Sequence, residues 1–149
     1  MGVRQTSVVP RVSAQRELLA SRRDVWQFVA EPYHFADWWP GVAAVRPDRR
    51  GFAEGARWEV VGSDRPTFLR QASSSGMLQI RAIEPFERFV CYLSGDHLEV
   101  ELRLQATAED RTQAVLSVDG TFMWGMNRTL PRRALNRLYA LCQTAADSI

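Results

Sequence analysis

The stretch DWWPGV at residues 37–42 marks the point where the hydrophobic pattern of the chain changes. Upstream of it, Ser21 can cap a short amphipathic helix, with an acidic residue three positions later. Pro32 interrupts that helix, and a second short helix is predicted over residues 33–39. The Pro-Gly pair inside the stretch ends the second helix, because proline and glycine both disfavour helical continuation. The stretch therefore predicts a corner from helix to strand.

Beyond this corner the apolar residues recur with a period of two, which is typical of strands. The clearest run is HLEVELRLQ at residues 97–105, in which apolar and charged side chains alternate. The same alternation occurs over residues 56–60 and 78–82, and turn sequences such as SGD at residues 94–96 separate the runs. With one further strand over residues 11–20, about seven strands are predicted. Their one-sided alternation favours an antiparallel sheet.

The final segment returns to a helical period. Thr129 can cap a long helix with an apolar stripe along one face. The stripe consists of Ala134, Leu138, Leu141 and Ala145, and Leu135 and Cys142 broaden it. This order of elements is an α+β layout, whose long helix must bury its stripe on the sheet. We expect one domain over residues 1–149, with a disordered tail over residues 1–8.

Composition limits the classes of function. The 149 residues are 46% hydrophobic and 24% charged, as in a globular protein. All 19 basic residues are arginine, so Schiff-base chemistry on a lysine is excluded. The net charge is only +2 and no basic stripe is evident, so no nucleic-acid partner is expected.

Cys91 and Cys142 are the only cysteines, and neither belongs to a CxxC pair. They are interpreted as free thiols, and neither a metal site nor a cofactor is expected. The N-terminal segment lacks the pattern of a signal peptide, and no window approaches the ~18 apolar residues of a membrane span. We therefore expect a cytoplasmic protein without stable membrane insertion.

The order of elements and several short phrases resemble the START-like superfamily of polyketide cyclase/dehydrase and lipid-transport proteins. The phrases are LLAS at 18–21, VW at 25–26, the segment from Pro32 through WWPGV, GARW at 55–58, IEP at 83–85 and SGD at 94–96. The resemblance covers nearly the whole chain and implies a helix-grip fold. In that fold a curved antiparallel sheet wraps around the C-terminal helix, two short helices lie between the first and second strands, and a hydrophobic cavity separates sheet from helix.

Trp38 and Trp39 are the first candidates to line such a cavity. Adjacent helical residues point about 100° apart, so we expect that the two indoles cannot both face one core and that one of them roofs the cavity. The alternative is that both pack the short helix against the sheet. The other expected ligand contacts are Arg16, Trp58, Phe122, Leu138 and Leu141.

Arg16, Tyr92 and His34 are the weaker candidates for a catalytic role. Arg16 shares a strand face with apolar residues, so it could meet a ligand oxygen if that face points inward; an edge position or an ion pair is the alternative. His34 could act as a general base and Tyr92 as a hydrogen-bond donor. Glu99 and Glu101 alternate with apolar residues and are interpreted as a solvated outer face, not as a catalytic pair.

Three functions remain open. The first is binding of a small hydrophobic ligand, such as an aromatic polyketide, a lipid or a quinone-like molecule. The second is a cofactor-free polyketide cyclase/dehydrase acting on an aromatic or poly-ketone substrate. The third is an antitoxin-like or quinone-chaperone-like protein that binds a protein partner. Its candidate surface is the group Arg128, Arg132, Arg133 and Arg137, for which an ordinary solvated helix face is the alternative.

Overall fold

The computed structural model describes residues 11–62, 76–120 and 126–147. The strands are β1 (Arg11–Leu18), β2 (Val42–Pro47), β3 (Arg57–Gly62), β4 (Gly76–Glu84), β5 (Arg88–Leu93), β6 (Leu98–Ala108) and β7 (Arg111–Gly120). The helices are α1 (Arg22–Val29), α2 (Phe35–Trp38) and α3 (Leu130–Asp147), and short 3-10 helices at Pro32–His34 and Met126–Thr129 precede α2 and α3. The predicted α+β layout is confirmed, including the two short helices between the first and second strands.

All seven strands form one antiparallel sheet in the order β1-β7-β6-β5-β4-β3-β2. The strands after the first corner are joined in sequence order, and β1 pairs with the last strand. α3 packs mainly on β1 and β7 and also touches α2. One end of the sheet is thus covered by the long helix, while α2 and the 3-10 helix before it lie near the other edge, next to β2, and α1 contacts β6 and β7.

The alternation in β6 separates the core from the outer face of the sheet. Leu98, Val100, Leu102 and Leu104 are buried, as the pattern predicts. On the opposite face the carboxylate of Glu101 accepts ion pairs from Arg88 at 2.9 Å and from Arg11 and Arg103 at 3.2 Å. Glu99 pairs with Arg81 at 3.4 Å. The interpretation of the two glutamates as an outer face is confirmed.

The corner at residues 37–42 forms as predicted. Ser21 Oγ accepts the backbone N–H of Asp24 at 3.1 Å and caps α1, and α2 ends at Trp38. The expectation that the two indoles cannot share one core is wrong, since Trp38 and Trp39 are 0% and 1% exposed. The reason is that Trp39 has left the helix: its φ of −93° and ψ of 119° are extended, so the helical angle between neighbours no longer applies.

Aromatic rings fill much of the interior between the sheet and the short helices. Phe35 stacks on Trp39 with 5.6 Å between ring centroids and meets Trp38 edge-on at 5.4 Å. Phe35 also contacts Trp58. Phe52 in turn contacts both Trp58 and Phe89. We call this group the aromatic block; its members are Trp26, Phe35, Trp38, Trp39, Phe52, Trp58 and Phe89.

The apolar stripe of α3 faces the sheet along the first part of the helix. Ala134, Leu135 and Leu138 are buried, and Leu141 and Cys142 are half-buried. Ala145 is exposed. Among the helices in the described ranges, none is long and apolar enough to cross a membrane.

Candidate functional site

A cavity of about 230 Å³ opens between the sheet and the first turn of α3. Its walls come from the corner after α2, from β3, from the start of β4, from the end of β5 with the following turn, and from α3. The lining residues are Trp39, Pro40, Gly41, Val42, Val60, Gly76, Met77, Leu93, Gly95, Asp96, Leu130 and Arg133. All of them except Asp96 and Arg133 are apolar or glycine, so the cavity is suited to an apolar molecule with a polar end.

The corner at residues 37–42 supplies one wall. Trp39 is held in an extended conformation by the end of α2, and its indole stacks on Phe35 at an interplanar angle of 11°. Gly41 then adopts a φ of +87°, which side chains rarely tolerate, and the space where its Cβ would lie is open. The corner therefore places Trp39, which is only 1% exposed, at the edge of the cavity beside the open space at Gly41.

A second wall forms where the start of β4 meets the turn between β5 and β6. A Cβ on Gly76 would lie 2.7 Å from the backbone nitrogen of Gly95, so the two backbones are in direct contact. Met77 N–H donates to Ser94 Oγ at 3.0 Å, and Ser94 N–H donates to the Met77 carbonyl at 2.9 Å. These bonds hold the turn in place beside the cavity.

Asp96 and Arg133 are the charged residues of the lining within the described part of the chain. Asp96 is a surface residue on the β5–β6 turn, yet partial desolvation raises the pKa of its carboxyl, and the charge of His97 opposes the shift. Arg133 is exposed in the first turn of α3. Within the described part of the chain neither side chain forms an ion pair.

Of the predicted ligand contacts, Trp39 lies in the lining, whereas Trp38, Trp58 and Leu138 are buried in the core away from it. Trp58 donates its indole N–H to the Gly51 carbonyl at 2.7 Å, which fixes its ring within the aromatic block. The indole N–H of Trp38 is buried and has no hydrogen-bond partner within the described residues. These side chains support the wall that Trp39 presents to the cavity.

Arg16 faces α3 from the edge strand β1, but it contacts the helix and not the cavity. Its guanidinium donates to Asn136 Oδ1 at 2.6 Å and lies 3.9 Å from the centre of the Tyr139 ring. Arg16 therefore joins strand to helix, in agreement with the alternative of an edge position. Leu141 is half-buried against the core and is not part of the lining, and Phe122 lies outside the described residues.

His34 and Tyr92 lie away from the cavity. His34 Nδ1 is 3.0 Å from the Phe28 carbonyl oxygen, and the two rings stack at 4.1 Å. Tyr92 points to the outer face of the sheet, where its hydroxyl is 3.4 Å from Nδ1 of His97 and its ring lies under the guanidinium of Arg81. The alternate residues of β5 face the core, so the candidate role of Tyr92 in an internal site has no geometric basis.

The charged residues of the lining were not found by sequence reasoning. The SGD sequence that contains Asp96 predicts a turn, and Arg133 was interpreted with its neighbours as part of a surface group. Only the tertiary contact between the β5–β6 turn and α3 places the two residues around one cavity. Within the described ranges no three His, Cys, Asp or Glu side chains are grouped as metal ligands.

Comparison with known proteins gives similarity in structure only. No protein-family model matches the chain, and no curated protein matches it in sequence.

Among solved structures, XoxI from Bacillus cereus superimposes with a TM-score of 0.69 at 9% identity, over 91% of this chain and 97% of that one. A protein from Nitrosospira multiformis gives a TM-score of 0.68 at 17% identity, over 93% and 99%. A START superfamily protein from Mycobacterium smegmatis gives 0.62 at 14%, over 91% and 95%. Identities this low establish the fold alone. The chain has the START-like helix-grip fold, as its sequence predicts.

Proposed function

We propose that this protein binds a small, mainly apolar molecule in the cavity at the start of α3. The observation that carries the proposal is an unfilled space lined by apolar side chains in an otherwise densely packed aromatic interior.

The volume limits the ligand to a small molecule. A space of about 230 Å³ lies below the roughly 300–1,000 Å³ of typical drug-sized sites. At ~30 Å³ for each water, it corresponds to about eight waters or roughly ten non-hydrogen atoms of an organic molecule. A single aromatic ring or a short acyl chain fits this space, whereas a long lipid or an extended polyketide would remain largely outside it.

Burial of apolar surface supplies the affinity. At ~25 cal/mol per Å², a ligand that buries on the order of 200 Å² of apolar surface gains about 5 kcal/mol before the entropic losses of association. Even before those losses, ~5 kcal/mol corresponds to a dissociation constant of only about 0.2 mM, so burial of the apolar part alone gives affinity in the millimolar range. The binding function therefore requires no chemistry beyond the lining itself.

An enzyme of the polyketide cyclase/dehydrase type is the second candidate. It is favoured by Asp96, because partial desolvation raises the pKa of this carboxyl towards values useful for proton transfer. Such an enzyme needs a second group to take or give a proton. Arg133 is the other charged residue of the described lining, and a guanidinium does not exchange its proton in proteins. Binding without turnover is thus the better-supported function.

Binding of a protein partner is the third candidate. Arg128, Arg132, Arg133 and Arg137 are exposed and form no ion pairs with the described residues. An acidic partner could neutralise this group, although solvated arginines on a helix are also stable without one.

Tryptophan emission tests the binding proposal. A panel of non-fluorescent single-ring aromatic and short acyl compounds is titrated into the wild type, Trp39→Phe and Trp26→Phe. Trp39 lines the cavity, whereas Trp26 lies elsewhere in the aromatic block, so Trp26→Phe is the matched control. We expect a saturable response that is lost in Trp39→Phe and retained in Trp26→Phe. If no compound gives a response, or if both variants respond equally, the cavity is not the binding site.

A further inference from the structure

Arg133 is the cationic group at the cavity, and the described part of the chain leaves it without a counter-ion. No described carboxylate lies within the 4.0 Å of an ion pair. The arginines on the outer face of the sheet contrast with it, since Arg88 and Arg11 pair with Glu101 and Asp119 at 2.9 and 3.0 Å. An arginine that lines a ligand cavity and forms no ion pair with a carboxylate is available to bind an anion.

The segment around Arg133 adds to the positive charge. Residues 126–146 contain four arginines and no acidic residue, so no carboxylate of this segment neutralises them. Arg128, Arg132 and Arg137 flank Arg133 on the same segment and are exposed to solvent. A charged ligand that approaches this side of the cavity is attracted if it is an anion and repelled if it is a cation.

Asp96 is the one group of the described lining that opposes an anion. It belongs to the β5–β6 turn and not to α3, and partial desolvation disfavours its charged form. His97 follows it, and its positive charge acts in the opposite direction, lowering the pKa of the Asp96 carboxyl. The partly desolvated carboxylate of Asp96 is outweighed by the four arginines between residues 128 and 137. The positive charge of this segment therefore favours an anionic ligand.

We propose that the ligand of this cavity is a small amphipathic carboxylate, whose charged group is bound by Arg133 and whose apolar part packs against Trp39 and Leu93. The planar guanidinium matches a carboxylate in a two-point contact. The apolar lining accepts the rest of the molecule, and its volume restricts that part to a ring or a short chain. This proposal deepens the binding function proposed above and rests on it.

A pair of matched probes tests the proposal. Phenylbutanoate and phenylbutanamide have nearly the same size and shape, and at neutral pH only the acid is charged. By calorimetric titration at low salt, we expect the acid to bind the wild type about tenfold more tightly than the amide, a preference that weakens at high salt.

Three variants locate the charge effect. Arg133→Gln should abolish the preference for the acid over the amide. Arg132→Gln, on the same turn of α3 but outside the lining, is the matched control and should keep most of the preference. Asp96→Asn should raise the ratio of acid affinity to amide affinity a few-fold, because it removes a charge that repels the acid. Thermal unfolding verifies that each variant is folded.

The outcomes separate this proposal from the function on which it rests. If the wild type binds acid and amide equally, the ligand is not selected by charge and the proposal is wrong, while binding of an apolar ligand stands. If Arg133→Gln and Arg132→Gln lose the preference equally, the attraction is diffuse and Arg133 is not the binding group. If the folded wild type binds neither probe, the result contradicts both the carboxylate and the small apolar ligand.

Discussion

Val60 and Val45 offer a direct test of whether the cavity is empty space. They face each other across β3 and β2 in the antiparallel register, and both are buried, at 5% and 3% exposure. Val60 lines the cavity, whereas Val45 belongs to the core without lining it. The same substitution, valine to phenylalanine, can therefore be made at two adjacent sites that differ mainly in the space beside them.

The two sites predict different costs in the free energy of unfolding. Overpacking a filled core costs typically about 1–3 kcal/mol, which we expect for Val45→Phe. Val60→Phe adds four carbons beside a space of about 230 Å³, and we expect the ring to enter that space instead of displacing its neighbours. Burial of about four carbons, at up to ~0.8 kcal/mol each, offsets the loss of rotamer freedom. Val60→Phe should therefore lie within about 1 kcal/mol of the wild type.

Urea denaturation followed by far-ultraviolet circular dichroism measures the two free energies, and ligand titration gives the functional result. The ring of Val60→Phe occupies the binding space, so we expect its affinity for a small aromatic ligand to fall at least about tenfold. Val45→Phe should keep its affinity despite its lower stability. Equal destabilisation of the two variants, with binding intact in Val60→Phe, would show that no usable cavity exists beside Val60.

The same denaturation assay should rank two tryptophan variants. Trp58→Phe loses a hydrogen-bonded indole N–H and leaves the Gly51 carbonyl unpaired, which should lower the free energy of unfolding by about 1–3 kcal/mol. Trp38→Phe removes a buried N–H without a described partner, so its loss of stability should be smaller. A larger loss in Trp38→Phe would contradict this ranking. The folded pKa of Asp96 is raised, so the wild type loses stability as pH rises through that pKa. Asp96→Asn should therefore be more stable than the wild type at neutral pH but not below about pH 4. Urea denaturation of both proteins at the two pH values measures this difference in the free energy of unfolding. Native protein treated with iodoacetamide should react slowly at Cys142 and not at Cys91, because burial raises the pKa of the Cys91 thiol to about 12. Equal labelling of the two cysteines, measured by peptide mass spectrometry, would contradict this prediction.

Much of the fold could be predicted because local patterns determine it. The alternation in β6 decides which side chains face the core wherever one face is apolar and the other charged. The cap at Ser21 and the Pro-Gly break after Trp39 are also local, since their hydrogen bonds and dihedral angles involve neighbouring residues. The apolar stripe of α3 then requires the sheet to cover it. The antiparallel arrangement of that sheet is predicted separately, by the one-sided alternation of its strands.

The candidate site could not be predicted in the same way. In β5 the consecutive residues Phe89, Val90 and Cys91 are all buried, so the sequence does not show which face is internal or where Tyr92 points. The fate of the two indoles depends on a single residue, Trp39, leaving the helix one position earlier than the predicted boundary. Asp96 and the start of α3 line the same cavity although they are far apart in the sequence. No local pattern predicts that they come together.

The aromatic block explains why the cavity should select ligands by size and charge. Its rings contact one another with edge-to-face and stacked geometries, so the wall formed by Trp39 is supported from behind and has little freedom to retreat. The part of a ligand that exceeds the space therefore remains outside it, because entering would displace packed aromatic side chains at a cost of several kcal/mol in lost contacts. A ligand that fits meets a preformed surface and loses little free energy to ordering of the protein. With the apolar walls fixed, discrimination between ligands of equal size falls to the polar groups of the lining, and Arg133 is the arginine among the lining residues that the structure describes.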